Sequence, residues 1–385
     1  MPQRIARNSV ALLSRRTALR LGAGGLAAVA WTLSGTPPDA PVAAQDASPV
    51  VRADDGAPAA SPILGEIVAV ATGGGHFLAL RADGTVWSWG TNSDWELGVT
   101  TPDLIVSTPV QVTGLTTVQA LATGDDHGLA LKADGTVWAW GKNNHGQLGV
   151  ATETCPIHHR PCSQIPILVA GLPTITTIAA TADSSFAVDA DGMVWAWGDN
   201  RFGQLGTGTP LDSPAPVRIE GLTDITTLSA TQDHTLALRA DGTVWEWGDR
   251  ESASLVPVNV AGLADVMSIA ADQTRNLALK QDGTVWTWSQ GEAESLAAVT
   301  GFGPVHLLAG GGVWSAVVDR DGMVWLWIGQ TEPPSQISNL RDVAVIAMGS
   351  DSNLAIKADG TVWTWSAFAD PAPVPMSQPA GTPGP

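Results

Sequence analysis

The two cysteines, Cys155 and Cys162, bracket Pro156-Ile157-His158-His159-Arg160-Pro161, and two chemistries suit that arrangement. In an exported protein the default is a disulfide that closes the loop. The rival is a Cys-x2-His-His-x2-Cys zinc site. Its donor types are right, but eight consecutive residues rarely wrap four donors tetrahedrally, and an oxidising compartment removes the thiolates. A second candidate is acidic: Asp126, Asp183, Asp233 and Asp351 each stand one position before a shared slot, with Asp125 and Asp272 close by. Converging carboxylates could hold a hard cation or a basic side chain, although tight turns also recruit Asp to bond backbone amides, which is the simpler account. The shared slot itself holds His76, His127 and His234 but Ser184, Arg275, Trp314 and Ser352 in other copies. Such variety suits a structural position better than a metal ligand, and no metal or cofactor is expected. Gly-x-Ser-x-Gly, His-Glu-x-x-His and a Walker loop with its Lys are absent, so no catalytic residue is assigned.

Such residues act only if something rigid positions them, and the chain supplies it by repetition. Asp83-Gly84, Asp134-Gly135, Asp191-Gly192, Asp241-Gly242, Asp282-Gly283, Asp321-Gly322 and Asp359-Gly360 each precede a Trp-x-Trp triplet, at separations of 51, 57, 50, 41, 39 and 38 residues. Asp-Gly supplies the positive φ of a tight hairpin turn, and strand alternation then sends both tryptophans out of one face. A sheet-forming unit of that period reads as a propeller blade. The predicted fold is therefore all-β, a seven-bladed β-propeller of four-stranded antiparallel blades. Of the 17 tryptophans, 14 lie in these pairs, where they can pack blade against blade. Only copies outside the pairs, such as Trp95 and Trp314, are free to act as stacking platforms.

In the first unit the predicted strands are Ile67 to Ala71, Phe77 to Leu80, Val86 to Trp89 and an outer strand Pro109 to Val112. A Pro at the start suits an outermost strand, which can spare a backbone donor. The same signal recurs at Pro216 to Ile219 and Pro257 to Val260, and more weakly at Pro373 to Met376. That last copy is expected to complete the seventh blade, with Ser48 to Val51 the less favoured donor. Four antiparallel strands put the Asp-Gly turns on one rim. The turns between strands one and two, and the loops between strands three and four, fall on the other. Those loops are long in the first three units, Thr91 to Thr108, Lys142 to Ile165 and Asp199 to Ala215, and short in the last four. Binding surfaces are usually elaborated on loops over a rigid scaffold. Candidate partner contacts are therefore Asp94, Trp95, Glu96, His145, His158, His159, Arg201 and Phe202, exposed aromatic and charged residues being common anchors.

The full motif stands at Ala122 to Gly149, with Gly124, His127, Leu129-Ala130-Leu131, Asp134-Gly135, Trp138, Trp140, Gly141, Asn144 and Gly146-Gln147-Leu148-Gly149. Over residues 65–376 the chain resembles the regulator of chromosome condensation repeat family, a likeness that implies a seven-bladed propeller. The copies decay toward the C-terminus. Ser289, Ile328 and Ser366 replace the Gly after the second Trp, and Gly-Gln-Leu-Gly is intact only in copies two and three, with Glu96-Leu97-Gly98 a remnant in the first. Fold carries over from such a resemblance more readily than activity. The family founder exchanges nucleotide on a small nuclear GTPase and docks on chromatin. A secreted bacterial inhibitory protein of β-lactamase, the second type, is similar in its seven blades and its destination, but its contact residues align with no motif here.

The first residues are of another kind. Ser14-Arg15-Arg16-Thr17-Ala18-Leu19-Arg20 and the apolar run Leu21 to Leu33 resemble a twin-arginine export signal, with Val42-Ala43-Ala44 as a cleavage site. The expected organisation is a signal over 1–44, a flexible linker over 45–62, the propeller over 63–376 and a disordered tail over 377–385. The expected setting is bacterial and extracytoplasmic, with no stable membrane insertion once the signal is gone. The net charge of −18 becomes −22 when residues 1–44 are removed. So acidic a surface repels phosphate backbones, which excludes nucleic acid as a partner. The expected protein is a monomeric, exported, non-catalytic scaffold that binds an extracytoplasmic protein through the rim of blades 1–3, enzyme inhibition being one form of such binding. A propeller enzyme or glycan binder, and then nucleotide exchange on a GTPase, are the alternatives.

Overall fold

A computed structural model describes residues 67–366, except 157–158, 249–253, 329–332 and 350–351, together with 374–375. All elements among the described residues are strands, and they fall into seven four-stranded antiparallel sheets, each hydrogen-bonded in chain order. Blade 2 shows the pattern with Val118–Thr123, His127–Lys132, Val137–Lys142 and Cys162–Leu168. The first strand of each blade touches the first strand of the next, and that of blade 7 touches that of blade 1. Ring closure uses the C-terminal segment, since Val374–Pro375 pairs with Trp363 and Thr364. Pro373 and Met376, the rival donor Ser48 to Val51, and the signal, linker and tail segments lie outside the described residues.

Each Asp-Gly turn works as its chemistry requires. In blade 2, Gly135 takes φ +82°, and the Asp134 carboxylate accepts hydrogen bonds from the Thr136 amide at 3.0 Å and hydroxyl at 2.6 Å. The Thr hydroxyl then accepts the indole N–H of the first tryptophan, Trp138, at 3.2 Å. Lys132 lies over that ring, its ammonium 5.4 Å from the centroid. Blades 3 and 6 carry Met193 and Met323 in place of the Thr. There Asp189 and Asp319 replace the cation, and each carboxylate accepts the indole N–H of Trp195 or Trp325 at 2.9 Å. Losing one acceptor is thus matched by gaining another six residues before the ring.

The two tryptophans of a pair share a face but not an environment. The first is half-buried beside the Asp-Gly turn, while the second is buried in all seven blades, at 0 to 7 % exposure. Its cover comes from the preceding blade. The Trp140, Trp197 and Trp247 indoles donate to the backbone carbonyls of Glu96, Gln147 and Gln204 at 2.8–2.9 Å. Leu97, Leu148 and Leu205, fully buried, follow those residues. Gly-Gln-Leu-Gly is therefore a latch from one blade onto the next. Blade 4 has no such latch, and the Glu246 carboxylate replaces it, accepting Trp288 Nε1 at 3.0 Å and Asn276 Nδ2 at 2.8 Å. Glu246→Ala should cost about 2–4 kcal/mol by leaving buried donors without an acceptor, read as a lowered urea midpoint.

The outer strands of blades 1 and 3 start earlier than their Pro-Val signals, at Ile105 and Ser213, and that of blade 2 starts at Cys162, before the predicted loop end at Ile165. Loop spans shrink accordingly to 92–104, 143–161 and 199–212. The cause is a bulge at the second tryptophan, between the two residues that flank it. In blade 2 Gly141 takes φ +97°, and the register of Val137–Lys142 against Cys162–Leu168 shifts there, so the ladder resumes beyond it. A Cβ at Gly141 would collide with the Asp126 carbonyl. Blade 4 retains a connection of intermediate length, 248–257, while blade 5 needs only 290–291 before Glu292–Val299.

Candidate binding rim

Each long loop has an inner half that belongs to the ring. A buried Asn begins it: the side-chain oxygens of Asn92, Asn143 and Asn200 accept the amides of Leu97, Leu148 and Leu205 at 3.3, 3.0 and 2.9 Å. Their amide groups donate outward, Asn143 to Val150 O and Thr152 Oγ1, and Asn200 to Thr209 O and Leu211 O. The side chains of Glu96, Gln147 and Gln204 turn back to accept the amides of Asp94, His145 and Phe202 at 2.8–3.0 Å. Among the described residues, what is left to face solvent is the outer half: 99–104, 150–154, 156, 159–161 and 207–212.

Two predicted contacts do not belong to that surface. Trp95 is 6 % exposed and packs on Cys155 and Cys162, so it covers the neighbouring loop and offers no stacking face. Glu96 is 1 % exposed, and burial raises its carboxyl above the ordinary range. It is a latch residue, corresponding to Gln147 and Gln204. Asp94, His145 and Phe202 are partly exposed, His159 and Arg201 are exposed, and His158 lies outside the described residues. The structure brings His145 and Arg201 together, with Arg201 Nη2 3.3 Å from His145 Nε2. Asp199 and Asp212, which no motif marks, complete that group. Asp212 Oδ2 is 2.8 Å from His145 Nδ1, and Asp199 Oδ2 is 2.9 Å from Arg201 Nε.

Cys155 and Cys162 form a disulfide, which leaves the zinc alternative without thiolates. In the chain-entropy account, closing so short a loop stabilises by about 2.5 kcal/mol. Reduction should lower the unfolding free energy by no more than that while the ring survives, as followed by tryptophan fluorescence in urea.

The axial acids do not converge on one point. Asp125 lines a polar pocket at the axis with Thr123, Thr181, Thr231 and Asp272. Asp126 and Asp183 both pair with Lys142, at 3.0 and 3.2 Å. Asp233 is buried and bonds Thr231 and His234, and Asp351 lies outside the described residues. Asp126 and Asp183 thus converge on one basic side chain, Lys142, across blades 2 and 3, whereas Asp233 bonds within its own turn as turn chemistry anticipates.

The three histidines are wholly buried. His127 Nε2 lies 2.9 Å from Ser185 Oγ, whose hydroxyl donates to the same Gln147 carbonyl that holds Trp197. His234 Nε2 lies 2.7 Å from Asn276 Oδ1, which belongs to the Glu246 network. Burial lowers His76 to a pKa of about 4 and His127 to about 3. His234 moves up instead: desolvation opposes its charge, but the bond to Asp233 and the field of Glu246 outweigh it.

The fold and rim together define a seven-bladed propeller in which the loops of blades 1–3 latch each blade onto the next. Residues 35–301 match the family model of the RCC1-like domain, and the chain belongs to that family. It is 33 % identical to the human E3 ubiquitin-protein ligase HERC2 over 151 residues, 37 % of this chain and 3 % of that protein. It is 34 % identical to the ultraviolet-B receptor UVR8 of Arabidopsis thaliana over 152 residues, 38 % of this chain and 33 % of that one. The chain therefore spans a third or less of these curated relatives. Among solved structures, human WBSCR16 superimposes with TM-score 0.66 at 21 % identity, covering 75 % of this chain and 86 % of that one. Yeast RCC1 (Prp20) bound to Kap60 gives 0.64 at 19 %, covering 87 % and 86 %. At these identities the likeness carries the fold alone.

Proposed function

We propose that the protein is an exported, non-catalytic binding scaffold that presents the loop-rich rim of blades 1–3 to a protein partner outside the cytoplasm. The observation that carries this reading is the distribution of exposed apolar side chains. Leu104, Ile105, Ile165, Leu168, Leu211, Val256 and Val258 all lie in the loops between third and fourth strands, or in the outer strands, of blades 1–4; Leu211 is 71 % exposed. Among the described residues only Met267 and Ile328 are comparable elsewhere. Apolar groups gathered beside charged loop tips suit a protein surface. One form of such binding is inhibition of an extracytoplasmic enzyme by occlusion.

The test is affinity capture from cell-envelope extracts, with the wild-type chain and a Leu104→Ser/Leu211→Ser variant as baits. Both changes are on exposed side chains, so stability should stay within about 0.5 kcal/mol of wild type. A partner retained by wild type and lost by the variant is expected. Equal capture by both, or residence of the native protein in the cytosol, would defeat the reading.

A further inference from the structure

We propose that His145, Asp199 and Asp212 form a binding site for a divalent transition-metal ion of the zinc class, bridging blades 2 and 3, and that Arg201 is its built-in competitor. The three donor atoms lie within 4.8 Å of one another. His145 Nδ1 is 2.8 Å from Asp212 Oδ2 and 4.0 Å from Asp199 Oδ1. An ion held tetrahedrally at about 2.0–2.2 Å keeps neighbouring donors roughly 3.3–3.5 Å apart. The first separation must therefore open and the second close by about half an ångström, and the carboxylate–carboxylate separation, within 4.8 Å, must come to the same range, all by side-chain rotation. One imidazole and two carboxylates form a donor set that suits zinc, nickel or cobalt.

The surroundings orient the donors. Asp212 commits its other oxygen, Oδ1, to the Asn200 amide at 2.9 Å, which leaves Oδ2 for the ion. Asp199 is buried at the end of Val194–Gly198, its backbone tied to Asp183 O and to the Ser184 hydroxyl. His145 and Asp212 are partly open to solvent, so an ion has a route in. The Arg201 guanidinium bonds Asp199 and faces His145 Nε2. Placed there, it requires the His145 proton on Nδ1, toward Asp212. Metal binding needs that proton on Nε2 and Arg201 swung into solvent. Three protein ligands leave a position for water.

Isothermal titration of the full chain, stripped with chelator, against zinc and against nickel chloride tests this. One ion per chain is expected, with at least tenfold weaker binding in His145→Ala and in Asp212→Asn and unchanged binding in His159→Ala. Arg201→Gln should bind several-fold more tightly. Misfolding cannot produce that gain, so this variant keeps the idea testable if the others are unstable. No saturable binding by wild type and Arg201→Gln, or binding indifferent to His145→Ala and Asp212→Asn in folded protein, would overturn the assignment.

Discussion

Trp197→Ala should destabilise the propeller by about 3–5 kcal/mol, the range for removing a fully buried large aromatic. Trp195→Ala, two residues away on the same face, should cost roughly 1–2 kcal/mol, because only part of its ring leaves water. The difference comes from the blade before. Trp197 packs among Leu148, Val169 and Ile178 and donates to Gln147 O, whereas Trp195 keeps an exposed flank by the turn. Urea denaturation of the two variants against wild type measures it. Equal losses would mean that the latch contributes nothing beyond a hydrophobic contact.

Acid should loosen the same junctions well before the carboxylates titrate. Above pH 6.5 His76 and His127 are neutral folded or unfolded, and their contribution is complete. As pH falls, the unfolded chain takes up protons from about 6.5, while the folded one resists down to about 4 for His76 and about 3 for His127. Each histidine then costs about 2 kcal/mol between neutrality and pH 5, near 4 kcal/mol for both. His234, raised by Asp233 and Glu246, acts oppositely, contributing stability below 6.5 that fades as pH rises through its folded value. His127→Gln isolates one component. Its stability should fall between pH 7 and pH 5 by about 2 kcal/mol less than that of wild type, and parallel profiles would contradict the assignment.

The scaffold is legible in the sequence because its determinants are local. Asp-Gly fixes each turn, Trp-x-Trp marks each third strand, and the Met193 and Met323 exchanges are matched within six residues by Asp189 and Asp319. The rim is legible only in outline, because its contacts run between repeats. Trp95 and Glu96 read as exposed loop residues, yet a disulfide in the next blade covers the first, and the second latches Trp140. Asp212 lies 67 residues from His145, and no spacing rule connects them. Conversely, the Asn92, Asn143 and Asn200 staples recur at one fixed step before Leu97, Leu148 and Leu205. That regularity could have separated the structural half of each loop from the half left over. Loop length alone overstates the surface available for binding, since latching the ring uses the first half.

Amide hydrogen exchange on the full chain, with and without a partner captured from envelope extracts, reports whether the loop-rich rim of blades 1–3 is the binding face. New protection at 99–104, 150–161 and 207–212 is expected on complex formation. The Asp-Gly turns on the opposite rim, from Asp83-Gly84 to Asp359-Gly360, should exchange at the same rate in both states. Protection at those turns, or along the outer strands of blades 5–7, with loops 99–104, 150–161 and 207–212 unchanged, would contradict it.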